Sequence, residues 1–67
     1  MEIEMIEGSN LREIRWRIGT TQFTWEPSIS RGNRMSLFRR QYHEETFNWI
    51  GFYPTLEAAK SASKWRV

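Results

Sequence analysis

Between residues 48 and 65 the chain reads NWIGFYPTLEAAKSASKW, and its character changes within that stretch. The segment FNWIGFY (47–53) is dense in aromatic residues, the composition of a strand. Pro54 and Thr55 make a corner. Thr55 is a good helix N-cap, and Glu57 falls in the first turn, where the aligned peptide dipoles favour a carboxylate. Ala58, Ala59 and Ala62 then form a patch of small side chains. A helix with such a patch comes close to a sheet, and the sheet must supply the bulk that fills the layer between them. Leu56 and Trp65 are expected to clamp the two helix ends. Large residues on strands and small ones on the helix predict a two-layer packed core.

The preceding residues supply the rest of the sheet. EIEMIE (2–7) alternates imperfectly and reads as a short edge strand whose glutamates discourage edge-to-edge pairing. GSN (8–10) is a turn signal. In REIRWRIG (12–19), Ile14, Trp16 and Ile18 share one face while Arg15 and Arg17 share the other. Gly19 permits a bulge or bend. QFTW (22–25) resumes the alternation with Phe23 and Trp25, and Pro27 is expected to end strand pairing. PSISRGN (27–33) is the longest loop candidate, with Gly32 and Asn33 suited to positive φ. RMSLFRRQYH (34–43) is a further strand in which Phe38 breaks the period, and EET (44–46) is a tight connection. Connections this short exclude crossovers. The expected fold is α+β, an antiparallel three- to four-stranded sheet packed on one C-terminal helix over about residues 55–65, with residues 1–67 forming one small domain.

Composition shows what must stabilise it. A chain of 67 residues buries a modest share of its surface, and this one has no cysteine to staple it. Four Trp, four Phe and two Tyr are the available substitute, and a homodimer interface is the other route to extra burial. No apolar run approaches the ~20 residues of a membrane span. The acidic N-terminus is unlike a signal peptide. The expectation is a small cytoplasmic protein, either complete or a domain cut from a longer one. Net charge is only +2, but it is unevenly placed. Residues 1–11 carry Glu2, Glu4 and Glu7 and no base, whereas residues 12–43 carry seven arginines against Glu13 and Glu26. Arginine forks onto phosphates and base edges and stacks on rings, which lysine does less well.

The segment Trp49-Ile50-Gly51-x-Tyr53-x-Thr55-x-Glu57-x-Ala59-x-x-Ala62 resembles a strand-to-helix signature of ethylene-response-factor-type DNA-binding domains, and more loosely the arm-DNA-binding domains of phage integrases. The resemblance spans 14 residues. It implies a three-stranded antiparallel sheet on a C-terminal helix, with the open sheet face laid in the DNA major groove and read out by Arg and Trp. Trp49 is the residue that matches a DNA-contacting position of that signature. This chain departs from the pattern in its longer 27–33 loop and its acidic N-terminal strand.

The candidate site is therefore an arginine face. Arg15, Arg17, Arg39, Arg40 and Trp49 are expected on one exposed sheet surface, with Arg31 and Arg34 flanking it from the loop. Guanidiniums would meet phosphates or guanine edges and the indole a sugar or base, which suits nucleic acid and, by the resemblance, duplex DNA. Exposed Trp and Arg also dominate protein interfaces, so the competing reading is a protein-interaction module such as a small phage-type inhibitor or adaptor. SRGNR (30–34) lacks the spacing of a phosphate-binding Walker loop and reads as a hairpin loop. His43, Glu44 and Glu45 are too few for a metal site, and Glu26 near Ser28 and Ser30 makes no nucleophile–base pair. No enzyme activity, metal or cofactor is expected.

Overall fold

The computed structural model of the protein describes residues 4–5 and 13–67. Five strands, β1 (Glu4–Met5), β2 (Ile14–Ile18), β3 (Thr21–Ser28), β4 (Arg34–Gln41) and β5 (Asn48–Phe52), precede one helix, α1 (Leu56–Ser63). The strands lie side by side in chain order, each antiparallel to the next. The α+β class and the antiparallel meander stand, with the sheet widened at its edge by the two-residue β1. The strand expected over 2–7 is met at Glu4–Met5, while its other residues and the 8–10 turn lie outside the described residues. Among the described residues no helix is long and apolar enough to cross a membrane.

Strand register sorts the side chains into two faces. Ile14, Trp16 and Ile18 stand opposite Trp25, Phe23 and Thr21. Trp25 in turn stands opposite Leu37 on β4. Trp16, Phe23 and Leu37 are fully buried, and the Trp16 and Phe23 rings stack with centroids 5.9 Å apart. Helix α1 covers this face. Thr55 caps it, its side-chain oxygen accepting from the Ala58 N–H at 3.2 Å. Ala59 joins the buried cluster, and Leu56 and Ala62 pack against it. The Trp16 indole N–H donates to Ser63 Oγ at 3.0 Å, and Ser63 donates to the Lys60 carbonyl at 2.7 Å. The Trp25 indole N–H donates to the Tyr53 carbonyl at 2.7 Å. The Trp16 and Trp25 indoles thus pack their apolar bodies against the core, and each N–H finds an acceptor.

Three expectations change. Trp65 does not clamp the helix: α1 ends at Ser63, and Trp65 lies beyond the last packed turn, 86% exposed. Pro27 does not end β3, which continues to Ser28, with Pro27 opposite Met35. Pairing with β2 runs only to Trp25, so the N–H that proline lacks falls where β3 has no ladder to complete on that side. The 27–33 loop shrinks to a single 3₁₀ turn, Ile29–Arg31, closed by Gly32 and Asn33, both at positive φ as expected.

β5 carries an irregularity that matters for the site. Leu37 pairs with Gly51 but Phe38 pairs with Trp49, so Ile50 is an extra residue, a bulge. Ile50 packs toward the core, whereas Trp49 and Phe52 register with Phe38 and Ser36 on the opposite face. Without the bulge, two residues three apart in a strand would face opposite ways.

Candidate nucleic-acid interface

The face away from α1 can be read row by row from the register. Arg17, Gln22 and Arg40 form one row, with Glu4 of β1 opposite Arg17 at the sheet edge. Arg15, Thr24, Phe38 and Trp49 form the next. Glu26, Ser36 and Phe52 follow, and Ser28 with Arg34 closes the hairpin end.

At that end two guanidiniums lie on two rings. Arg31 sits over Trp49 with its guanidinium carbon 4.2 Å from the ring centroid, and Arg34 sits over Phe52 at 3.7 Å. The two rings meet edge to face at 5.1 Å. Arg31 reaches this place because the 3₁₀ turn folds the chain back, fixed by an Asn33 N–H bond to the Ser28 carbonyl at 2.9 Å. Its Nη1 also donates to Ser28 Oγ at 3.3 Å. Trp49 keeps 37% of its surface exposed. A shallow depression of about 420 Å³, lined in part by Glu26, Ser28, Arg31 and Phe38, lies on one side of this cluster. A second of about 330 Å³, lined by Arg34, Met35, Phe52 and Pro54, lies on the other.

The remaining expected residues divide. Arg15 and Arg17 are exposed on this face, and Arg15 Nε is 2.5 Å from Glu13 Oε1. Arg40 is on the face, but its guanidinium is committed to Gln22 Oε1, at 3.2 and 2.7 Å, and to the Glu44 carbonyl at 2.7 Å. It braces the sheet end and the 42–47 turn. Arg39 does not belong to the site. It follows Leu37 by two residues and so shares the helix side, where its Nε donates to the Arg66 carbonyl at 2.5 Å. Phe38 and Phe52 were not anticipated as part of the face. The available signal was Gly51, a glycine inside a strand pattern, which marks a bulge.

Among the described residues two carboxyls are perturbed. Glu26 is held above the ordinary carboxyl value, first by burial, then by the charge of Glu13 and a hydrogen bond with it, with Arg15 opposing. Glu44 is held below that value, chiefly because it accepts the Gln41 backbone N–H at 2.9 Å and also the Asn48 amide at 3.0 Å. Glu44 thus organises the turn before β5, and His43 meets Tyr42 edge to face at 5.3 Å. Among the described residues no three His, Cys, Asp or Glu side chains gather as a metal site.

The chain matches no protein-family model, no curated protein and no solved structure.

Proposed function

We propose that this chain is a small non-enzymatic nucleic-acid-binding protein that uses the open face of its sheet. The observation that carries the reading is the division of faces. Packing α1 on one side leaves Arg15, Arg17, Arg31, Arg34 and Arg40 on the other, together with Trp49 and Phe52. Among the described residues these five arginines outnumber the three glutamates that share their rows or neighbour them, Glu4, Glu13 and Glu26. Cations answer the phosphates and the rings answer sugars and bases.

The test is fluorescence anisotropy of labelled random-sequence oligonucleotides at two salt concentrations. If about three phosphates are neutralised, counterion release weakens binding by about 20- to 40-fold between about 50 and 200 mM salt. Replacing both Arg31 and Arg34 with Ala weakens binding and flattens that dependence. No binding to any nucleic acid at about 50 mM salt overturns the proposal and turns attention to a protein partner.

A further inference from the structure

The geometry points to single-stranded nucleic acid as the ligand of this face, its unpaired bases stacking on Trp49 and Phe52 where the Arg31 and Arg34 guanidiniums now lie. The inference rests on the nucleic-acid reading and specifies its ligand.

Three observations favour a single strand over the duplex implied by the resemblance. The first is width. Five strands at about 4.8 Å spacing make a face roughly 19 Å across, and β2 to β5 alone span roughly 14 Å, whereas the major groove of B-DNA is about 12 Å wide. A narrower ribbon enters that groove more readily than a face of this breadth. The second is what the rings offer. Trp49 and Phe52 present ring faces, each already covered by a planar cation at 4.2 and 3.7 Å. A group at that distance over the ring centroid occupies the side of the ring on which a base would stack. Bases in a duplex show a protein their edges, since their faces are taken by their neighbours in the stack, whereas unpaired bases are free to stack on a ring.

The third is that the displaced cations have somewhere to go. Arg31 and Arg34 are exposed residues with long stems, and the phosphates flanking a stacked base provide charge-assisted partners for their guanidiniums. Exchanging an exposed cation–ring contact for a base–ring stack plus a phosphate contact is favourable. The two depressions beside the cluster give the neighbouring nucleotides room, and Glu26 and Ser28 border one of them with hydrogen-bonding groups for a base edge. Recognition of this kind is tolerant of sequence, because every base has a stacking face.

The test compares three competitors at about 50 mM salt, with affinities expressed per phosphate: an oligothymidine strand of about 12 nucleotides, the same length of abasic strand, and a matching duplex. The expected result is that oligothymidine binds at least about tenfold more tightly than either of the others. Trp49→Ala then loses about tenfold on oligothymidine and little on the abasic strand, while Arg31→Ala loses on both. The abasic comparison needs no variant, so it decides even if a substitution disturbs the sheet. Duplex binding equal to or tighter than oligothymidine, or an abasic strand that binds as well, overturns this inference and leaves the nucleic-acid reading intact. Failure of all three to bind removes that reading and this inference with it.

Discussion

Ser63 is fully buried in α1, where its hydroxyl takes the Trp16 indole N–H and gives its own proton to the Lys60 carbonyl. Ser63→Ala leaves a buried indole N–H without an acceptor, and a loss of about 1–3 kcal/mol is expected in urea unfolding. Adding Trp16→Phe to that variant should cost less than the two single losses combined, because the stranded donor is gone; strict additivity would mean that the bond contributes nothing. Thr24 presents the opposite case. Its hydroxyl is buried on the open face and has no hydrogen-bond partner. Thr24→Val keeps the shape and removes the buried hydroxyl, so the urea midpoint should rise, and a fall would reveal a partner for Oγ1. The two perturbed carboxyls pull stability in opposite directions with pH. Glu26 has a raised folded-state pKa, so the folded protein holds that proton more tightly than the unfolded chain. Its contribution is present at acid pH and is lost as pH rises through the folded value. Glu44 has a lowered pKa, so its contribution is present above the ordinary carboxyl value and is lost as pH falls through the folded value. Melting temperatures against pH should therefore show Glu26→Gln gaining on the parent as pH rises, and Glu44→Gln losing.

At the scale of elements, α1 has eight residues, too few to hold a helix in water alone. It depends on its cap and on the sheet. Thr55→Ala should cost about 1 kcal/mol in urea unfolding, and an unchanged midpoint would mean that the cap is replaced by solvent at no loss. This helix and β2 were the most legible parts of the sequence, for physical reasons. The cap, the small-residue patch and the Ile14-Trp16-Ile18 alternation are local patterns that match their final surroundings. β4 was harder. Arg39 and Arg40 are neighbours, and neighbours in a strand point to opposite faces, so only one was able to join the arginine surface. Which one depends on the facing of Phe38, where the hydrophobic period breaks. β5 hid the other half of the site, because a bulge shifts every residue beyond it to the other face and depends on pairing with a distant strand. The cation–ring pairs were illegible for the same reason: Arg31 and Trp49 meet only once the 3₁₀ turn and the bulge are both in place.

For the whole molecule, the radius of gyration is 10.9 Å, which matches the ~11 Å expected of a compact chain this long. Among the described residues the buried apolar cluster is nevertheless small, comprising Trp16, Ile18, Phe23, Leu37 and Ala59. A loss of 1 kcal/mol in a domain of this size lowers the melting temperature by about 4–8 °C. Because the core lies on one side of the sheet and the arginines on the other, stability and binding should respond to different substitutions. Changing both Arg31 and Arg34 to Ala should alter stability by no more than about 2 kcal/mol, the worth of two exposed cation–ring contacts, while weakening oligonucleotide binding. A larger loss of stability would mean that the arginine–ring cluster is a second core. The chain-order meander also predicts an order of events in folding. Each strand pairs with its neighbour along the chain, so hairpins can close locally, one after another. The Trp16–Ser63 bond, by contrast, spans 47 residues. Substitutions along β3 and β4 should therefore slow folding, whereas Ser63→Ala should mainly hasten unfolding, with a φ-value near zero in stopped-flow chevrons. The helix would then be the last element to arrive and the first to leave, and the protein's lifetime against unfolding would be governed by how long one hydroxyl keeps hold of one indole.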